Sequence, residues 1–233
     1  MYMELFLIIF TFILGTIIGS FLNVTIYRHN TGKGFGGRSI CMSCAKTLDW
    51  YELIPIVSFL IQKGKCTKCQ SRISPHYPLV EFLTGTVFMF IFYFLPHQSA
   101  IELIRIIYYW SIFSILIMIG AYDLRLKIIP DAPVYTFILL AIVAPILPSG
   151  LSSLVLYHLL AGVALAIPFA LLWLLSKGEL MGLGDAKLVL GLGILFGLSQ
   201  GLAVILVAFW IGALLGIILI LIPPPGLTCS GPE

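Results

Sequence analysis

Charge is what this chain has least of. Aspartate, glutamate, lysine and arginine make up 10% of its 233 residues, whereas a soluble domain carries about 25%. With 60% hydrophobic residues, the chain has more apolar surface than one soluble core can bury. Two further features are lacking: a glycine-rich nucleotide fingerprint after a strand, and a basic stretch ahead of the first apolar run. The second absence, with no small-residue cleavage pattern behind that run, argues against a secretory signal and predicts a retained helix.

Long apolar stretches are abundant instead. Uncharged runs extend over Leu5 to Ile26, Phe82 to Ile101, Ile106 to Tyr122, Ala132 to Ser176 and Leu188 to Pro232, and roughly 20 apolar residues cross a bilayer as a helix. The fold class expected is an all-α polytopic membrane protein. The two longest runs must turn. Pro145, Pro148, Ser149, Gly150, Ser152 and Ser153 break the first, and Gly197, Ser199, Gln200 and Gly201 the second. Seven helices result, near 4–26, 79–95, 103–122, 132–147, 154–175, 183–197 and 202–222.

The few charges are informatively placed. Arg28, Lys33, Arg38, Lys46, Lys63, Lys65, Lys68 and Arg72 all fall between the first two helices. By the positive-inside rule that loop is cytoplasmic and the N-terminus outside. Arg125, Lys127, Lys177 and Lys187 agree, which leaves Arg105 as the only base on the outer side. Topology accounts for the basic loop, so nucleic acid is not an expected partner, whereas membrane lipid is.

That loop also holds Cys41, Cys44, Cys66 and Cys69, as two Cys-x-x-Cys pairs 21 residues apart. Four thiolates at this spacing suit one tetrahedral zinc, structural because no coordination position stays open. It would close a loop too small for a core of its own. Two disulfides are the alternative, disfavoured in a reducing compartment, and a redox pair is another. Cys229 stands apart with no evident role.

Acids near membrane depth are costly and mark function by default. Asp123 directly follows the run from Ile106, and Asp185 ends Gly182-Leu183-Gly184-Asp185. Two such carboxylates brought together can share a proton, one activating water and the other serving as acid. Each can instead cap a helix or pair with Lys127 or Lys187. Asp131 suits a cap for the fourth helix, and Asp49, Glu52 and Glu179 are loop acids without an obvious partner.

The chain resembles the type IV prepilin peptidases, Gly-x-Gly-Asp intramembrane aspartic proteases that also N-methylate their product. The likeness runs in ordered blocks from Gly19 to about Leu219. Gly19-Ser20-Phe21-Leu22-Asn23-Val24 and Tyr27-Arg28 come first. Arg38-Ser39, Cys41-x-x-Cys44, Leu48, Trp50-Tyr51-Glu52 and Ile54-Pro55 follow, then Gly64-Lys65-Cys66-x-x-Cys69, Ile73-Ser74 and Tyr77-Pro78-Leu79-Val80-Glu81. Asp123 with Ile129-Pro130-Asp131, and Gly182 through Leu188, close the set.

The resemblance implies that Asp123 and Asp185 are the catalytic pair, acting on prepilins or pseudopilins at the cytoplasmic face of the bacterial inner membrane. It also implies S-adenosylmethionine as methyl donor, with Glu52 and Glu81 as candidates for holding the cofactor or a cationic amine. The expected segments are a first helix at 1–26, a zinc-binding loop domain at 27–78 associated with methyl transfer, a peptidase core at 79–222 and a polar tail at 223–233. Family members usually have eight helices, against seven here. Readings of another class are an ion- or proton-coupled transporter, against which no inverted repeat is visible, and a non-catalytic pilus or secretion assembly factor.

Overall fold

The computed structural model describes residues 2–29, 37–146 and 153–221. Lys33, the turn residues Pro148 to Ser152, Pro223 to Gly226 and the tail with Cys229 lie outside them. Among the described residues the long elements are all helices: α1 (Tyr2–Arg28), α2 (Val57–Ile61), α3 (His76–Phe94), α4 (Ala100–Leu126), α5 (Asp131–Val143), α6 (Ser153–Leu175) and α7 (Leu183–Leu221), with a 3-10 turn at Trp50–Leu53. Five helices are long and apolar enough to cross a membrane, and α5 is a shorter apolar one. The protein is therefore a multi-pass membrane protein of all-α class.

The chain divides into two compact units, residues 1–137 and 138–233. In the first, α1 packs along α3 and α3 along α4. Glycine permits the first contact: a Cβ on Gly15 would lie 2.7 Å from the Gly85 Cα, and one on Gly19 would lie 2.7 Å from the Glu81 Cα. Small residues at such crossings let backbones approach closely in lipid. Trp110 fastens α4 to α3, donating its Nε1 hydrogen to the Phe88 carbonyl at 3.1 Å while its ring stacks on Phe88.

Helix α4 starts earlier and ends later than hydropathy indicates. Ser99 accepts from the Glu102 amide and the Glu102 carboxylate accepts from the Ser99 amide, a reciprocal cap that begins the helix at Ala100. At the other end the helix runs past Asp123 to Leu126, where Lys127 turns left-handed and donates its amide to the Asp123 carbonyl at 2.7 Å. Charge ended the apolar run there, but charge does not interrupt backbone hydrogen bonding.

In the second unit α6 packs on α7, and α7 is broken at Gly197, with φ 75 and ψ −177. The break reverses the chain. Gly193 and Gly201 approach so closely that a Cβ on Gly201 would lie 3.4 Å from the Gly193 Cα. Val189 and Ile205 share one core cluster with Leu165, although a straight helix would hold them about 24 Å apart. Just before the break His158 of α6 bonds the Ile194 carbonyl at 2.8 Å, and since a carbonyl only accepts, its Nδ1 carries the hydrogen. The expected turn over residues 197–201 thus contracts to Gly197, with Ser199 to Gly201 already helical.

Candidate functional site

Each Cys-x-x-Cys pair forms the same knuckle. The Cys41 amide donates to the Lys46 carbonyl and the Ala45 amide to the Cys41 carbonyl; the Cys66 amide donates to Ser71 and the Gln70 amide to Cys66. Ala45 and Gln70, each just after the second cysteine, take the left-handed φ of 55 and 58 that such a tight turn requires. Antiparallel bridges Ile40 to Thr47 and Lys65 to Arg72 close the two loops.

The four sulfurs lie within 4.8 Å of one another, and all four cysteines are free. Cys41 and Cys69 stand 3.8 Å apart, about the edge of a tetrahedron with metal–sulfur bonds near 2.3 Å. The amides of Cys44 and Ser43 pull the Cys41 thiol down to about 6, and the Ser71 hydroxyl lowers that of Cys69. The Lys46 amide favours the Cys44 thiolate, yet burial and the neighbouring sulfurs push it up to about 11. Four thiols so crowded cannot all ionise alone. A cation at their centre removes the conflict.

Glu52 clips the knuckles together. Its carboxylate is buried and accepts both from Lys46 Nζ of the first knuckle, at 3.0 Å to either oxygen, and from Thr67 Oγ1 of the second, at 2.6 Å. The Asp49 amide adds a fourth bond at 2.9 Å. The Thr67 hydroxyl, the Asp49 amide and the Lys46 ammonium together hold this carboxyl down to about 2. Glu52 therefore does have partners, which sequence alone does not reveal because they come from both knuckles, and the Asp49 carboxylate has local ones, accepting from the Tyr51 hydroxyl at 3.1 Å and lying 3.8 Å from Lys46 Nζ.

Beneath the knuckles, against the ends of α1 and α3, lies a cavity of about 950 Å³ walled by Ser20, Asn23, Tyr77, Glu81 and four arginines, Arg28, Arg38, Arg72 and Arg125. Glu81, buried in α3, accepts from the Ile56 amide at 2.8 Å, and Ser20 and Asn23 also reach its carboxylate. The Ile56 amide is available because Ile56 sits at φ 61 and ψ −50, the centre of a γ-turn in which the Val57 amide bonds the Pro55 carbonyl. A β-branched residue in this rare conformation is strained.

Asp123 is half-buried in the last turn of α4 and lines a second, apolar cavity of about 500 Å³ between α1, α3 and α4. Arg125 lies 3.7 Å over the Tyr27 ring, which stacks on Tyr77. Asn23, Tyr27 and Arg125 line both cavities, so part of this stack is shared by the two. Tyr27 and Tyr77 stand out in the sequence blocks, but nothing in sequence joins them to Arg125. Asp131 begins α5. Asp185, in the second unit, is half-buried in the first turn of α7, its carboxylate turned back over Gly182, where a Cβ would lie 3.8 Å away.

A helical membrane chain with a four-cysteine knuckle loop and acids at helix ends defines the class. Residues 13–95 match the Bacterial Peptidase A24 N-terminal domain, and residues 110–217 match the Type IV leader peptidase family. The chain belongs to this family. It is similar to proteins named prepilin leader peptidase/N-methyltransferase: 34% identical to that of Myxococcus xanthus, covering 91% of this chain and 63% of the relative. It is 30% identical to that of Neisseria gonorrhoeae, over 89% and 80%, and 34% to that of Bacillus subtilis, over 88% and 80%. The chain thus spans less than two thirds of the Myxococcus relative's length. No solved structure matches it.

Proposed function

We propose that this protein is a prepilin peptidase that removes leader peptides with Asp123 and Asp185 and methylates the amine so exposed. The observation that carries the reading is that the stretch matched to the leader peptidase family contains both aspartates, each half-buried at a helix end. One carboxylate takes a proton from water as it attacks the scissile carbonyl, and the other donates a proton to the departing amide nitrogen. The apolar cavity beside Asp123 suits the hydrophobic helix that follows a prepilin leader. The loop and both aspartates face the cytoplasm in this reading, which the placement of twelve of the thirteen bases supports.

The four cysteines hold a structural zinc. Purified protein should carry one zinc per chain, and chelation should loosen residues 41–69 before the helices. For methyl transfer, a cavity of about 950 Å³ is within the range of small-molecule sites. Its buried Glu81 and its arginines fit the cationic and carboxylate ends of S-adenosylmethionine. That donor would supply an electrophilic methyl group. Glu52 is committed to the knuckles, so Glu81 is the carboxylate we assign to hold and orient the new amine.

Cleavage of a prepilin by the purified protein in detergent is the test. Asp123→Asn and Asp185→Asn should each abolish it in a folded protein, because the amide keeps the size and loses the titratable proton, whereas Asp131→Asn should retain it. Leader removal by either of the first two variants would overturn the pair. A folded wild-type protein that cleaves nothing would favour an assembly factor or a transporter.

A further inference from the structure

Large apolar side chains outside membrane helices call for a partner, and the loop between α1 and α3 shows many. Trp50 is 77% exposed, Ile61 76% and Leu60 66%, with Tyr51, Ile54 and Val57 also exposed. They belong to one short stretch with two faces. Along α2, Ser58 and Phe59, with Gln62 just beyond, turn to the polar cavity, while Val57, Leu60 and Ile61, at helical spacing, turn away from it. A patch of this size marks an interaction surface.

Its height on the molecule identifies the occupant. The bond from the Ile56 amide to Glu81 ties the middle of the stretch to α3, five residues inside a membrane span that starts at His76. Five residues of helix rise about 7.5 Å, roughly the thickness of one headgroup layer. The stretch is thereby held at the boundary of the hydrocarbon, where tryptophan and tyrosine concentrate. Exposed Lys63, Lys65 and Lys68 follow it directly, giving the charge that draws such surfaces to anionic headgroups.

We propose that residues 50–61 lie in the bilayer surface as an interfacial platform, with apolar side chains among the lipids and the lysines at anionic headgroups. The same helix turns its other face to the cavity, so the platform seats the knuckles and the cavity on the membrane. This inference needs only the membrane fold and stands apart from the peptidase assignment.

The test is quenching of Trp50 emission, taken as the difference between the wild-type chain and Trp50→Phe. The full chain is placed in nanodiscs of phosphatidylglycerol and phosphatidylcholine, with acyl chains brominated or not. Brominated lipid should remove the greater part of the Trp50 emission, while acrylamide in the water should have little effect. The double variant Leu60→Glu with Ile61→Glu should reverse both responses with unchanged circular dichroism. Quenching by acrylamide and not by lipid would place the patch in water. Protection from both would mean that a second copy or another protein covers it. Either result overturns the proposal.

Discussion

The two units bury different chemistry. Among the described residues, Thr11, Thr16, Asn23, Glu52, Glu81, Thr84 and Ser114 are the buried polar side chains, and all lie in residues 1–137; the buried residues beyond 137 are apolar. A buried polar group is costly unless bonded, and no buried side-chain nitrogen or oxygen among the described residues lacks a partner. Thr84, for instance, donates to the Val80 carbonyl at 2.7 Å. The first unit is built around a polar site, whereas the second has an apolar core, with Asp185 in the first turn of one helix and His158 bonded beside the break in that helix.

The sharpest way to divide the two is to remove one charge from the polar unit. Glu81→Gln keeps an oxygen for the Ile56 amide but loses the negative charge. Methylation of processed pilin should fall by about 10- to 100-fold, while leader cleavage stays near wild type. Mass spectrometry of the mature N-terminus measures both. Equal loss of both activities would show that the polar site serves cleavage as well.

In the apolar unit the sensitive points are steric. A Cβ on Gly193 would lie 2.6 Å from the Gly162 Cα, so Gly193→Ala should cost about 1–3 kcal/mol, seen as a lower thermal midpoint in detergent. If it costs nothing, the glycine contact between α6 and α7 is looser than described.

A smaller effect tests the Glu52 clip through pH. The native carboxyl is held near 2, against 4.5 for an ordinary glutamate, so its contribution is complete above about 4.5 and is lost as pH falls toward 2. Glu52→Gln should lower the thermal midpoint of the loop at neutral pH, followed by Trp50 fluorescence. The gap to wild type should close over that acid window. A gap independent of pH would assign the loss to packing and not to charge.

The smallest effect is expected at Gly212, where an added Cβ meets nothing within 4 Å. Gly212→Ala should change stability by less than about 0.5 kcal/mol. A large loss would reveal a packing partner for that surface.

Much of this was legible in sequence because hydropathy and spacing are local properties. The uncharged runs predicted the membrane helices, Gly197 with Ser199 to Gly201 the reversal, and the paired Cys-x-x-Cys the sulfur cluster. Helix ends were less legible: Ser99, Glu102 and Lys127 decide them through backbone hydrogen bonds that hydropathy does not register. The site's polar connections were hidden for a different reason. Glu52 joins residues 46 and 67, and Glu81 meets an amide 25 positions away that only a strained Ile56 exposes. No periodicity encodes such contacts.

The reversal at Gly197 also limits how the protein can be handled. An epitope or protease site is normally placed in a connecting loop, where insertions are tolerated, but here a single residue joins two helical halves. An insertion between Phe196 and Leu198 would part His158 from the Ile194 carbonyl and separate Gly193 from Gly201. Topology mapping by tags at this turn would report on a damaged bundle, so the sidedness of the hairpin is better probed by single-residue labelling.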